Sequence, residues 1–503
     1  MAGTSIFWIH GCFCFLVLPL VLAPYLTRTL GDTALGVYSY SYSIGQIFVV
    51  LANLGISKYG QRIIAEKKGN VIELRKVYWS LFTVHAVVSA FVFAAYMVFA
   101  FACGGNDRVV FLLQGFYVLS AFFDITWFYY GIEKFNGVVI RNTIVKAAEF
   151  VLIFLFVKSP DDLWKYTLIM ALSILLGMVV LLPPTFKYVK PIRFSFADCK
   201  MQISPLMVLF IASVATLLFT FFDKTLLGIF STKENVAYYE YSNKIVLVPR
   251  TIATVISTVM YSRACVFISR NELSEAKKYR TFSLLFIYFI SFASIFGLLS
   301  VGDLFVNIYY GESFLECVGI INMLSSTILI VALADVVRTQ ILIPMHKDKE
   351  YMIITIISAV LNVAVSMLLL GPLGVYGVVI GSILSETISL VLISLICRKQ
   401  IDWKEAFVLA VPFVIIGIAM YFSVRLVTLF IAWLDTGTME SLLLASDYIH
   451  MIEEQQGVMV SAPEEIAFRY KWIDAGQLMA SAEMYGKSPY GEHLKSVAEG
   501  KLK

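Results

Sequence analysis

The sequence predicts an all-α polytopic membrane protein: two six-helix lobes related by a parallel repeat, about 13 transmembrane helices, and a short α-rich soluble tail. Three observations carry this expectation. The chain is 59% hydrophobic and only 15% charged, with a mean hydropathy of +0.82; a soluble chain would carry about a quarter charged residues. Apolar stretches long enough to cross a bilayer, about 20 residues at about 1.5 Å of rise each, follow one another through residues 7–433. Beyond them the chain turns polar: from Ala432 onward there are 6 Lys/Arg against 11 Asp/Glu, whereas the preceding part holds 33 against 24. The net charge of +4 therefore averages two unlike regions and implies no basic surface for nucleic acid.

In chain order, the spans are expected at 7–26, 33–55, 77–103, 109–130, 138–157, 163–186, 203–230, 236–261, 281–301, 317–343, 351–371, 376–397 and 406–433. No basic region precedes the first run, and Arg28 comes only after it, so that run reads as a transmembrane helix rather than a cleaved signal. With the N-terminus placed in the cytoplasm, the loops 56–76, 131–141, 187–202, 262–280, 344–350 and 398–405 fall inside and carry 22 Lys/Arg. The outside loops carry 5: Arg28, Arg108, Lys158, Lys165 and Lys233. That bias is the positive-inside rule, and it places the N-terminus in the cytoplasm of a multi-pass protein. The seven cysteines lie mostly within apolar spans and suggest neither a disulfide framework nor a metal site; Cys12 and Cys14 read as packing residues.

The chain partly repeats itself. PYLTRTLG (24–31) followed by GVYSYS (36–41) is echoed by FFDKTLLG (221–228) followed by AYYEYS (237–242). Each copy has a cation before Thr-Leu, a Gly, a short connection and a Tyr-rich helix start. Six expected spans separate the copies, so both enter the membrane in the same direction, as in a parallel repeat about an axis along the membrane normal. The organisation that follows is an N-terminal lobe (1–200), a C-terminal lobe (201–400), an extra span (401–433) and the tail (434–503). Two such lobes imply a cleft between them, suited to alternating access.

An ionisable group at bilayer depth costs about 2.5–3.5 kcal/mol, so each needs a partner or a wet cavity. Lys146 with Glu149 and Asp335 with Arg338, at i, i+3, read first as mutually satisfied pairs. Tyr and Val rather than an acid mostly surround Lys244 and Arg250 along their helix. A surplus of cations on a central cleft would bind an anionic group, Arg through bidentate hydrogen bonds and Lys as a point charge. The acids Asp124, Glu149, Asp223, Glu240, Asp335 and Glu386 are candidates for proton or Na⁺ coupling. At Asp124 bracing of a helix end is the favoured reading. His85 and Asn53 read as satisfied interhelical groups. No nucleophile–base–acid set, zinc spacing or phosphate-cradling glycine loop occurs in residues 1–431, so no cofactor and no catalytic residue is expected there.

Several strings resemble the bacterial O-antigen and capsule repeat-unit flippases of the multidrug/oligosaccharidyl-lipid/polysaccharide exporter superfamily. They are PYLTRTLGDTALGVYSYSYSIGQIF (24–48), LGISKYGQR (54–62), FDITWFYYGIEKF (123–135), VKSPDDLWKY (157–166), DKTLLGIF (223–230), AYYEYSNKIV (237–246), IPMHKDKEY (343–351) and LGVYGVVIGSILSE (373–386). The resemblance implies a carrier in the bacterial cytoplasmic (inner) membrane. It would move undecaprenyl-diphosphate-linked oligosaccharide to the outer leaflet by ion-coupled alternating access. Its partners would be membrane lipids, a polysaccharide polymerase and a chain-length regulator. Within matching motifs the cations are Arg28, Arg62, Lys224 and Lys244; Arg250 stands on depth and charge alone. A drug/cation antiporter of the same superfamily is the alternative, although it would call for acids without the excess of cations. Many members have fourteen spans, against about thirteen here.

The departure lies at the end. Residues 432–503, with WLDTGT and APEEIAFRYKWID, resemble the C-terminal portion of glucose-1-phosphate thymidylyltransferase. In that enzyme the Asp of WLDTGT, here Asp435, helps hold Mg²⁺, making Asp435 a vestigial ligand. The nucleotide-binding glycine-rich loop and the other acidic and basic residues are missing, and one carboxylate does not assemble a Mg²⁺ site. The tail reads as a non-catalytic gene-fusion remnant rather than a membrane-tethered transferase. Helices are expected after Thr438 and from Pro463, with little for them to pack against.

Overall fold

The computed structural model describes residues 2–270, 272–430, 462–486 and 488–500, together with isolated positions between 443 and 451. Those residues form helices joined by short turns, with no strand among them. They divide into two compact units, 1–424 and 425–503. Ten described helical segments are long and apolar enough to cross a membrane.

The first two expected spans are the arms of one helix, α1 (Ala2–Asn53), broken where Gly31 adopts φ 77°. A side chain there would be strained, whereas glycine is not. Residues 56–67, expected as loop, form α2 (Ile56–Lys67). Ile56, Tyr59, Gly60 and Ile64 are its buried face, at the i, i+3, i+4, i+8 spacing of an amphipathic helix. α3 (Val71–Cys103) begins on Asn70, whose side chain accepts from the amides of Ile72 and Glu73.

The fourth expected span is divided into α4 (Arg108–Ser120) and α5 (Thr126–Gly131). The backbone leaves the helix at Asp124, whose Oδ1 accepts from the Thr126 amide at 2.9 Å and the Thr126 hydroxyl at 2.6 Å. Trp127 Nε1 donates to the Asp124 carbonyl at 3.0 Å. Asp124 thus braces a helix start. α5 lies close on α2: a Cβ at Gly60 would come within 2.6 Å of the Trp127 ring, and one at Gly131 within 2.6 Å of Ile64.

The chain continues through α6 (Phe135–Phe156), α7 (Leu163–Val180), α8 (Leu182–Thr185), α9 (Phe196–Phe230), α10 (Lys233–Ser269) and α11 (Leu273–Tyr310). The tenth expected span is α12 (Cys317–Leu324) and α13 (Ser326–Val337), ending in a wider π turn over Arg338–Leu342. α14 (Asp348–Leu373), α15 (Val375–Ile396) and α16 (Trp403–Phe430) follow. Large apolar side chains such as Phe91 and Leu368 face outward, each 76% exposed, where lipid rather than water suits them.

The two copies of the repeat pack on each other. Gly36 lies so close to α10 that a Cβ would sit 1.8 Å from the Lys233 carbonyl oxygen, and a Cβ on Gly228 would sit 1.9 Å from the Tyr40 ring. Lys233 Nζ donates to the Gly228 carbonyl at 3.0 Å and lies 3.7 Å over the Tyr40 ring. Thr33 donates to Glu234 (2.7 Å), Tyr238 donates to Asp32 (2.8 Å), and the Ser43 and Thr225 hydroxyls share a hydrogen bond (3.1 Å). Around this seam Leu30, Leu35, Leu227, Val236 and Tyr241 belong to one apolar core.

In the second unit Pro463 opens α17 (Pro463–Arg469) at its first turn, as expected; α18 (Ala475–Tyr485) and α19 (Pro489–Ala498) follow. These helices do have something to pack against, namely one another. Leu478, Ala482, Leu494 and Val497 form a small core with Phe468, Ile473 and Tyr490. Glu465 pairs with Arg469 (2.7 Å) and His493 (2.6 Å). Asp435 and nearly all of the helix expected after Thr438 lie outside the described residues.

Candidate functional site

Three groups of charged and polar side chains lie inside the membrane unit. The first lines a cavity of about 200 Å³ built by α1, α6, α7, α9 and α10. Here Lys224 Nζ meets Glu240 Oε2 at 2.7 Å, Lys244 Nζ lies 3.6 Å from Glu240 Oε1, and Lys146 Nζ meets Glu149 Oε2 at 2.6 Å. Lys244 does have an acid partner: Glu240 is one turn earlier and straddles both lysines. Three ammonium groups against two carboxylates leave a surplus positive charge. Lys244 is the most open of the three, its side chain 37% exposed, and its ammonium lies 4.2 Å over the Tyr241 ring. Tyr38, Ser39, Tyr42 and Tyr166 add hydroxyl-bearing walls. Glu149 Oε1 is buried with no hydrogen-bond partner in the protein.

The second group surrounds Asp223, which is 3% exposed. Its Oδ2 accepts from Tyr239 (2.7 Å) and Ser382 (2.6 Å), and Asn362 Nδ2 donates to Ser382 Oγ (3.3 Å). Asp223 Oδ1, Asn362 Oδ1 and Ser366 Oγ are buried without partners. An uncommitted carboxylate oxygen, an amide oxygen and a hydroxyl from α9 and α14 are the donors a proton or an alkali cation would use. Asn362, Ser366, Ser382 and Tyr239 were not legible as a group. They come from separate helices, and only the i, i+4 spacing of Asn362 and Ser366 could have signalled a shared face.

The third group lines a cavity of about 250 Å³ between α13, α14 and α15. Asp335 pairs with Arg338, which also donates to the Tyr351 hydroxyl at 3.1 Å. Glu386 shares this cavity, and the charges of Arg250 and Arg338 both act on it.

Arg28 and Arg62 are not brought to the first cavity. Arg28 donates to the Ile308 carbonyl in the last turn of α11. Arg62 lies on α2, 3.9 Å from Glu66 and 5.7 Å over the Tyr59 ring. His85 is 2% exposed, with neither ring nitrogen hydrogen-bonded to protein.

Residues 4–261 match the family described as polysaccharide biosynthesis protein. The chain belongs to that family. A putative O-antigen transporter of Shigella dysenteriae is 23% identical over 395 residues, covering 76% of this chain and 96% of the relative. Residues of the tail match glucose-1-phosphate thymidylyltransferase of Mycobacterium tuberculosis at 50% identity over 68 residues, but cover only 24% of that enzyme. Among solved structures, lipid II flippase MurJ in an inward closed conformation superposes with a TM-score of 0.70 at 14% identity, covering 90% of this chain and all of that one. An inward-facing multidrug resistance MATE transporter superposes at 0.54 and 13% identity, covering 82% and 99%. The protein is thus a multi-pass membrane protein of a transporter family with the helical fold of these carriers.

Proposed function

We propose that the chain moves undecaprenyl-diphosphate-linked oligosaccharide repeat units across the bacterial cytoplasmic membrane for O-antigen or capsule synthesis. It would do so by alternating access between two six-helix halves, within a total of thirteen crossings. The observation that carries this reading is the first cavity. Its walls come from both halves, and its charge is a surplus of lysines. Lys224 and Lys244 would hold the diphosphate while Glu240 keeps them apart and poised. An anionic ligand would displace Glu240 from Lys244 rather than from Lys224, because that 3.6 Å contact is the longer of the two and Lys244 is the more open lysine. Arg250 would act lower down through Glu386.

Asp223 is the coupling group in this reading. Protonation, or an alkali cation at its free Oδ1 and at Asn362 Oδ1, would neutralise a buried carboxylate between α9, α14 and α15. Occupancy would then bias how those helices pack. Glu149, Glu240 and Asp335 are held by lysine or arginine partners and serve to position them; Glu386 remains a second titratable candidate.

A drug/cation antiporter would favour a carboxylate-rich cavity, and the lysine surplus speaks against it. The tail contributes no chemistry in this proposal, and a membrane-tethered transferase is the reading it replaces. A strain lacking the gene should accumulate the lipid-linked oligosaccharide on the inner leaflet. Restoration by wild-type protein but not by Lys224→Ala supports the assignment, while normal surface polymer in the deletion strain refutes it. Purified protein supplied with dTTP and glucose-1-phosphate should release no pyrophosphate. Orientation follows from the lysine and arginine bias: N-terminus inside, and the tail outside if α16 crosses. Alkaline phosphatase and fluorescent-protein fusions after Lys503 test both.

A further inference from the structure

A further cavity shares no residue with the first and is built differently. A hollow of about 490 Å³ opens where α10 and α11 meet the segment that precedes α14 and the turn that follows α15. Lys277, Arg280 and Lys399 line it, together with the apolar Ile268, Leu273 and Met345. Arg280 is fixed in place by donating to the Gln400 carbonyl at 2.8 Å. Lys277 pairs with Glu405 across the rim, its side chain half exposed. Three cations thus face one acid. Gln400 Oε1 is buried in the wall with no hydrogen-bond partner in the protein.

We propose that this hollow binds the headgroup of an anionic glycerophospholipid, of the phosphatidylglycerol type. The shared chemistry is a phosphate monoanion at the membrane edge, for which a basic pocket between helix ends is the expected receptor. Two features select a lipid over a soluble phosphate, and a third selects a headgroup that bears hydroxyls. The walls are partly apolar, and Leu273 is 60% exposed, so an acyl chain leaving the phosphate has surface to follow. The hollow sits where the lysine- and arginine-rich segments 262–280, 344–350 and 398–405 converge. A headgroup hydroxyl would also donate to Gln400 Oε1, which the lipid's own phosphodiester oxygens cannot do because they carry no proton. All lining residues lie between 268 and 400, in one half of the repeat. The site therefore need not be dismantled when the halves move, unlike a cavity shared between them. The lipid would bridge α11 to the turns after α13 and α15 and act as a structural ligand. The inference is independent of the transported substrate.

The test uses the full chain, purified and delipidated in detergent, with bound lipid counted by native mass spectrometry during titration. Phosphatidylglycerol should be retained more tightly than phosphatidylcholine. Lys277→Gln combined with Lys399→Gln should weaken phosphatidylglycerol binding about 25-fold, roughly fivefold per lysine, and leave phosphatidylcholine unchanged. Gln400→Ala should erase any preference for phosphatidylglycerol over phosphatidic acid. Melting of each variant in phosphatidylcholine alone establishes that it folds. Equal retention of the two neutral and anionic lipids, or a double variant that keeps the wild-type preference, would overturn the proposal. So would inorganic phosphate or pyrophosphate stabilising the protein as much as phosphatidylglycerol does, since that would mark a site for a soluble anion.

Discussion

The two copies of the repeat share a scaffold but not a charge pattern. Aligned on their cations, the first copy has Thr27 and Arg28 where the second has Asp223 and Lys224; aligned on their Tyr-rich helix starts, it has Ser39 and Ser43 where the second has Glu240 and Lys244. In the first copy the cation serves the backbone: Arg28 satisfies an orphan carbonyl at the end of α11. In the second it serves the interior: Lys224 faces the cavity and pairs with Glu240 at 2.7 Å. The glycines differ as well. Gly31 is left-handed and bends a helix, whereas Gly228 stays helical and admits Tyr40. Duplicated architecture therefore need not mean duplicated chemistry. One copy builds a hinge and a wall, and the other supplies the charges.

The sharpest way to break this comparison is to exchange the fates of the two cations. If Lys224 contacts the substrate anion, Lys224→Ala should lower transport by about 10–100-fold, the worth of a charged hydrogen bond of about 1.5–3 kcal/mol, at unchanged abundance. Arg28→Ala should instead lower the melting temperature and leave transport per molecule near wild type. Surface polymer normalised to protein in the membrane reads both. Equal loss of transport per molecule in the two would erase the distinction.

The glycines give the next largest effect. Gly36→Ala drives a methyl group into the Lys233 backbone, which has no rotamer to escape into, so about 1–3 kcal/mol of destabilisation or more is expected, read as lost abundance or melting temperature. Gly228→Ala meets a side chain that moves and should cost less. At Gly31, with nothing within 4 Å of a Cβ, only the backbone penalty of about 1–3 kcal/mol applies. A Gly31→Ala protein less stable than Gly36→Ala would show that the hinge, rather than the seam, is the sensitive point.

Asp223→Asn sharpens the comparison from the other side, since Thr27 cannot titrate. Abundance should hold, because an amide still accepts from Tyr239 and Ser382, while the dependence of transport on pH or Na⁺ flattens. Asp124→Ala should do the reverse. It removes the acceptor at a helix start and costs about 1 kcal/mol of heat stability, with transport per molecule kept.

The smallest effect concerns acid stability at the edge of the membrane. Hydrogen bonds from the Ser195 amide and from Lys76 hold the Asp198 carboxyl below its ordinary range. A depressed native pKa stabilises the fold above the unfolded value near 4, and that contribution is lost as pH falls through the native one. The melting difference between wild type and Asp198→Asn should therefore shrink below about pH 4 and be constant from pH 5 to 7. A difference that grows on acidification would contradict the assigned sign.

What was legible in the sequence is what depends on local pattern. Apolar runs mark the long helices, and the spacing of Ile56, Tyr59 and Ile64 marks α2 as well, although Lys58, Arg62 and Lys67 give that segment the composition of a basic loop. The Asp-Ile-Thr-Trp string encodes its own turn, since Asp124 needs only Thr126 two residues on. Lys224, Glu240 and Lys244 could be nominated one by one, but not the bridging role of Glu240, because Lys224 comes from another helix. Asp223 shows the limit most clearly: Ser382 is 159 positions away, and no periodicity reports which helices become neighbours.

The seam between the copies has a thermodynamic consequence. Above its apolar core it is closed by single hydroxyl, carboxylate and amine contacts, one of them exposed and two half-buried, each contributing only about 0.5–1.5 kcal/mol net. Such a latch is worth a few kcal/mol. A ligand must favour one conformation by about 5.5 kcal/mol to turn a 1:99 population into 99:1. The polar part of the closure therefore has a strength that the binding of a single ligand can set or release, while the apolar core beneath it keeps the two copies in register.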